Sequence, residues 1–114
     1  MKMTAKPICA SNKGKFIACA SDIISSKWTP MLLYALGNGR NRFGELQAAV
    51  GGVNPRTLSA RLDALEQDGV ISKTTYSEMP PRVEYVLTEK GRDLLPILES
   101  MIVWGQKHNS YYCF

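Results

Sequence analysis

Residues 43–69 read FGELQAAVGGVNPRTLSARLDALEQDG, and this stretch decides the fold. Phe43 to Val50 has the length of a short helix and is closed by Gly51-Gly52, a pair suited to a tight turn. Asn54-Pro55 then makes a helix start. The asparagine can accept from an amide that the first turn leaves unpaired, and a proline in that turn gives up no needed donor. Behind it Leu58, Leu62 and Leu65 recur at i, i+4 and i+7, so one stripe of a helix over 55–68 faces a core. Gly69 ends it. Arg56, Thr57, Ala60, Arg61 and Ala64 fall away from that stripe, toward solvent or a ligand. Two helices joined by a glycine turn form a helix-turn-helix unit.

Reading outward from this unit completes the architecture. After Gly69 the period changes to two: Val70 to Tyr76 is rich in β-branched residues, and Val83, Tyr85 and Leu87 alternate with Glu84 and Val86. The segment between them, residues 77–82, is too long for a tight turn and should project as a loop stiffened by Pro80 and Pro81. Thr88-Glu89-Lys90 caps a last helix running to about Lys107, with Pro96 predicted to kink it. On the N-terminal side a helix begins near Asn12, with Phe16, Ala20, Ile23 and Ile24 on one face. Thr29-Pro30 starts the next, with Thr29 as its hydroxyl cap, and Gly37-Asn38-Gly39 stops it. The predicted fold is α+β and mostly helical: a winged helix-turn-helix with a β-hairpin wing and a terminal dimerisation helix. Residues 1–11 are predicted to form an arm, 12–108 the domain and 109–114 a tail.

Composition narrows the function. The 114 residues, 45% of them hydrophobic, suffice for one domain with a core that needs no disulfide or metal. Apolar runs fall well short of the ~18 residues that would suggest a membrane span, and no secretory signal is visible. Three scattered cysteines, Cys9, Cys19 and Cys113, make no disulfide framework, which fits a cytoplasmic protein. Five lysines against Asp22 in residues 1–27 account for the whole net charge of +4, while nine basic and nine acidic side chains cancel in residues 28–114. If the body binds nucleic acid, a few well-placed arginines must do it. Catalysis finds no constellation: His108 is the only histidine, no serine sits in a nucleophile elbow, and no phosphate loop or metal-ligand spacing occurs. No cofactor is expected.

Three segments together carry a family resemblance. They are Lys27-Trp28-Thr29, then Arg42-Phe43-Gly44-Glu45-Leu46, and then Pro80-Pro81-Arg82-Val83-Glu84-Tyr85 followed by Leu87-Thr88-Glu89-Lys90-Gly91. In order and spacing they resemble the HxlR-type winged-helix transcriptional regulators of bacteria, over roughly residues 15–108. The resemblance implies a dimeric, sequence-specific DNA-binding regulator, a small relative of the MarR-like winged helices. Many members carry a Cys-Pro pair about thirteen residues before the tryptophan, where some sense oxidants; here that position is Lys15.

The candidate DNA-binding residues follow. Asn54, Arg56, Thr57, Ser59 and Arg61 supply forks and short polar groups near the start of a helix that a major groove accepts. Arg82, at the tip of the Pro-Pro loop, suits a phosphate or a minor groove, though Glu78 in the same loop argues the other way. Arg42, just before the third helix, either touches phosphate or flanks a turn. The last helix is apolar on more than one face between Leu94 and Trp104, which points to a homodimer interface of Leu98, Met101, Ile102 and Trp104, shared with Phe16, Ile17 and Ala20. Cys19 reads as a small buried residue because Ala18, Ala20 and Ile23 flank it, the alternative being a redox-sensing thiol. The tail aromatics Tyr111, Tyr112 and Phe114 are expected to pack on the dimer helix or to fray. Double-stranded DNA and a second copy are the predicted partners, on a pseudo-palindromic operator. The rival readings are a winged helix used for protein docking and an oxidant-sensing variant of the regulator. Nothing in the sequence names a small-molecule effector.

Overall fold

The computed structural model describes residues 8–108. A 3-10 turn at Ile8–Ala10 leads into α1 (Asn12–Ile24), α2 (Thr29–Gly37), α3 (Phe43–Ala49), α4 (Pro55–Gln67), strands β1 (Ile71–Tyr76) and β2 (Arg82–Leu87), α5 (Glu89–Arg92) and α6 (Leu95–His108). This is the winged helix-turn-helix order predicted above. The tail and most of the arm lie outside the described residues.

The core gathers where the helix-turn-helix meets the hairpin. Leu32 and Leu33 of α2, Leu46 of α3, Leu58, Leu62 and Leu65 of α4, and Val70, Ile71, Tyr85 and Leu87 of the hairpin are all buried. The strands are antiparallel, with Ile71 opposite Leu87 and Tyr76 opposite Arg82. Side chains alternate across a sheet. Ile71, Tyr85 and Leu87 therefore face the core, while Tyr76, Arg82 and Glu84 share the other face. The outer edge of β2 is also engaged: Tyr85 donates its N–H to the Asn41 carbonyl at 2.9 Å, and the Arg92 guanidinium donates to the Leu87 carbonyl at 2.9 Å.

The Thr88-Glu89-Lys90-Gly91 segment fastens the hairpin's foot. The Thr88 hydroxyl caps α5 by accepting the Gly91 N–H, and it lies 2.6 Å from the Gly69 carbonyl oxygen to which it donates. Lys90 donates to the Asp68 carbonyl at 2.7 Å. A Cβ on Gly91 would collide with the Val70 carbonyl oxygen, so only glycine allows this approach.

Two local expectations are corrected. The last helix is broken rather than kinked, with a turn at residues 93–94 between α5 and α6. In a continuous helix the Pro96 ring would meet the Arg92 carbonyl four residues back. Restarting at Leu95 places Pro96 in a first turn, where it displaces no hydrogen bond. Thr29 is not the cap of α2 either. Trp28 holds that position without a side-chain bond, and Thr29 is buried in the helix's first turn. Helix α1 meets the core only through Ile23 and Ile24, near its end.

Candidate nucleic-acid interface

Three sets of polar bonds organise the starts of α3 and α4 and the turn between them. At the start of α3, the Glu45 carboxylate accepts the backbone N–H groups of Asn41 and Arg42, each at 3.1 Å. Those two bonds stabilise its charged form and hold its pKa below the usual carboxylate value. In the turn, Gln47 donates to the Val53 carbonyl at 2.9 Å, and Gly51 and Gly52 take φ of 82° and 77°, which other residues rarely adopt. At the start of α4, Asn54 accepts the Arg56 N–H at 2.8 Å. Of the Asn54 side chain, the oxygen is therefore committed to the cap, and the amide NH2 remains.

Burial of Leu58, Leu62 and Leu65 turns the opposite face of α4 outward. Arg56, Ser59, Ala60 and Arg61 are exposed there, and Thr57 is half-buried. Among the described residues neither Arg56 nor Arg61 makes an ion pair or a side-chain hydrogen bond. Five guanidinium donors on each are thus available to a ligand.

The wing differs. Arg82 is not at the loop tip but is the first residue of β2, at the foot of residues 77–81. Its guanidinium lies over the Tyr76 ring, 4.1 Å from the centroid, and pairs with Glu78 at 3.2 Å and Glu84 at 3.6 Å. Arg42 reaches the same Glu84 oxygen at 3.8 Å. The loop instead projects Met79, 97% exposed, beside Pro80 and Pro81. Sequence reasoning did not single out Met79 or Glu84. The only local signal for Glu84 was its place in a period-two strand beside Arg82.

A second surface lies on α1 and α6. Phe16 is 74% exposed and Trp104 67%, with Ile17, Met101, Ile102 and Val103 also exposed and Ala20 half-buried. Leu98 corrects the expected set, since at 4% exposure it belongs to the protomer's own core. It forms the floor of an apolar groove of about 470 Å³ between α2 and α6, lined also by Pro30, Met31, Tyr34, Met101 and Ile102. Cys19 is corrected as well. It is exposed on α1, where of the flanking residues that suggested burial only Ile23 packs against the core, while Ala18 is exposed and Ala20 half-buried. The described residues have a radius of gyration of 17.0 Å and extend 67 Å along their longest axis, against about 13 Å for the radius of a compact chain of this size. No described helix is long and apolar enough to cross a membrane.

A helix-turn-helix with a hairpin wing is the class of protein that this fold defines. Residues 23–111 match the family model described as HxlR-like helix-turn-helix, and the chain belongs to that family. It is 45% identical over 87 residues to the HTH-type transcriptional regulator YdeP of Bacillus subtilis (strain 168), covering 76% of this chain and 68% of that protein. The solved structure of the redox regulator HypR in its oxidised form superposes with a TM-score of 0.77 at 36% identity, covering 83% of this chain and 98% of that one. A MarR-family transcriptional regulator from Enterococcus faecalis V583 gives 0.76, also at 36% identity, covering 92% and 93%.

Proposed function

We propose that the protein is a transcriptional regulator that binds a pseudo-palindromic operator as a homodimer, with α4 in the major groove of each half-site. The observation that carries this reading is the outward face of α4, where Arg56 and Arg61 have no ion-pair partner among the described residues, on a helix locked by Leu58, Leu62 and Leu65. Arginine forks onto guanine edges are the commonest specific contact in that groove. Thr57, Ser59 and the Asn54 amide add short polar groups at the same end, and Arg42 and Arg82 lie at the wing for the flanking backbone. A second copy is supported by the open apolar surface of α1 and α6 and by the elongated protomer, since a chain alone would leave Phe16, Met101, Ile102 and Trp104 in water. Gel retardation with fragments of the organism's own DNA at two salt concentrations tests the reading. Retardation that weakens steeply with salt and survives competition on one fragment supports it; no retardation at low salt overturns it.

A second reading attaches to Cys19. Its exposure on α1, together with the likeness to a redox regulator, favours a thiol whose oxidation alters DNA binding. Peroxide or diamide should then change retardation by the parent and not by Cys19→Ser. An oxidant response that survives the substitution removes Cys19 from that role.

A further inference from the structure

The wing's arginine is enclosed in a charge network, outside which Lys73 of β1 stands exposed with no ion pair among the described residues. Arg42 and Arg82 meet Glu78 and Glu84, two cations against two anions, so this network offers DNA no net positive charge. The two carboxylates are held differently. Glu84 lies on β2 between both arginines and is three-quarters or more buried. Glu78 is on the projecting loop, half-exposed, with Arg82 as its one ion-pair partner among the described residues. Tyr76 backs the Arg82 guanidinium from the strand opposite. Glu78 alone can therefore withdraw without dismantling the hairpin, and its withdrawal frees the Arg82 edge that it covers.

Resting on the reading of this surface as a DNA interface, we propose that Glu78 is a specificity-determining residue. By occupying Arg82 it weakens the protein's hold on DNA of any sequence, and retention then depends on the bases that α4 contacts. A phosphate arriving at the wing exchanges places with the Glu78 carboxylate instead of meeting an unpaired cation. The gain from that contact is the difference between two ion pairs rather than one whole pair. Glu84 and Tyr76 keep the guanidinium in place during the exchange. The other cation on the hairpin, Lys73 of β1, is exposed and is the same in every variant, so its contribution cancels from the comparison.

The test uses the whole chain and a mixed-sequence duplex, titrated by fluorescence anisotropy across a range of salt concentrations. Glu78→Gln should bind roughly two- to fivefold more tightly per protomer, the range set by one exposed ion pair. Its salt dependence should steepen by about one unit per arginine released. Both changes should vanish when Arg82→Gln is already present, because the acid acts through that arginine. If the gain persists without Arg82, Glu78 merely repels DNA and the inference falls while the DNA reading stands. Unchanged affinity in Glu78→Gln overturns it equally. Should neither protein bind the duplex at the lowest salt, both the DNA reading and this inference are overturned. Glu78→Asp, which keeps the charge but shortens its reach, should reproduce part of the gain, and it carries the same test if the glutamine variant fails to fold.

Discussion

Helix α4 and the wing both present arginines at the surface, on opposite terms. Arg56 and Arg61 ride on a helix pinned by three buried leucines, and nothing among the described residues neutralises them. Arg42 and Arg82 are paired by carboxylates and, for Arg82, stacked on an aromatic ring. Each pair contributes two positive charges, and a count of cations treats the two pairs alike. Only the first pair is free to meet a ligand without breaking something. A nearly neutral body can therefore read DNA, because the useful quantity is unpaired charge at one face and not the sum over the chain.

The bluntest way to break the comparison is to remove the doubling that the proposed dimer would give both regions. Ile102→Glu places a charge at the rim of the apolar α2–α6 groove, where being covered by the proposed second copy would cost several kcal/mol in lost hydration. Light scattering should show a monomer, with circular dichroism reporting whether the helices persist; a dimer of parental size means that this face is not the interface. Next in size is Arg56→Ala. Loss of a base fork should cost about 1–3 kcal/mol per contact and narrow the ratio of operator to mixed-sequence affinity. An unchanged ratio removes Arg56 from base recognition. Gly91→Ala attacks the wing's seating, and steric conflict with Val70 should lower stability by about 1–3 kcal/mol in a urea melt. Arg82→Ala should do less to DNA binding, lowering both affinities with little loss of discrimination; if it collapses the ratio instead, the wing is the reader.

The smallest effect concerns Glu45. Its carboxyl titrates lower in the folded protein than in the unfolded chain, so its contribution is present at neutral pH and is lost as pH falls through its folded value. Protection of the Asn41 and Arg42 amides, taken relative to their intrinsic exchange rates, should fall over that interval, and Glu45→Gln should abolish the pH dependence. An interval unchanged by the substitution would assign the acid sensitivity elsewhere.

Much of α4 was legible because its signals are local: Asn54-Pro55 starts it, Gly69 stops it, and the leucine spacing needs no knowledge of the partner. The wing strands were legible for the same reason, through their period of two. The state of Arg82 was not, because its partners depend on hairpin register and on which way the loop returns Glu78. Apolar flanks say that a residue avoids water without saying whether its own core or another surface covers it. That ambiguity hid the exposure of Cys19 and the burial of Leu98 within the protomer. Pro96 was a visible signal whose two outcomes, a bend or a restart, are separated by tertiary packing: Leu94 is buried in the turn that the restart creates.

The bonds along the outer edge of β2 have a consequence for behaviour at high concentration. A two-stranded sheet with a bare edge is a template on which another chain can add a strand and begin to aggregate. Here Asn41 takes the Tyr85 amide and Arg92 takes the Leu87 carbonyl, so two of the groups that an incoming strand would need are already spent within the protomer. Arg82 and Glu84 set charge along the same strand. Edge-to-edge association through the hairpin is thereby disfavoured.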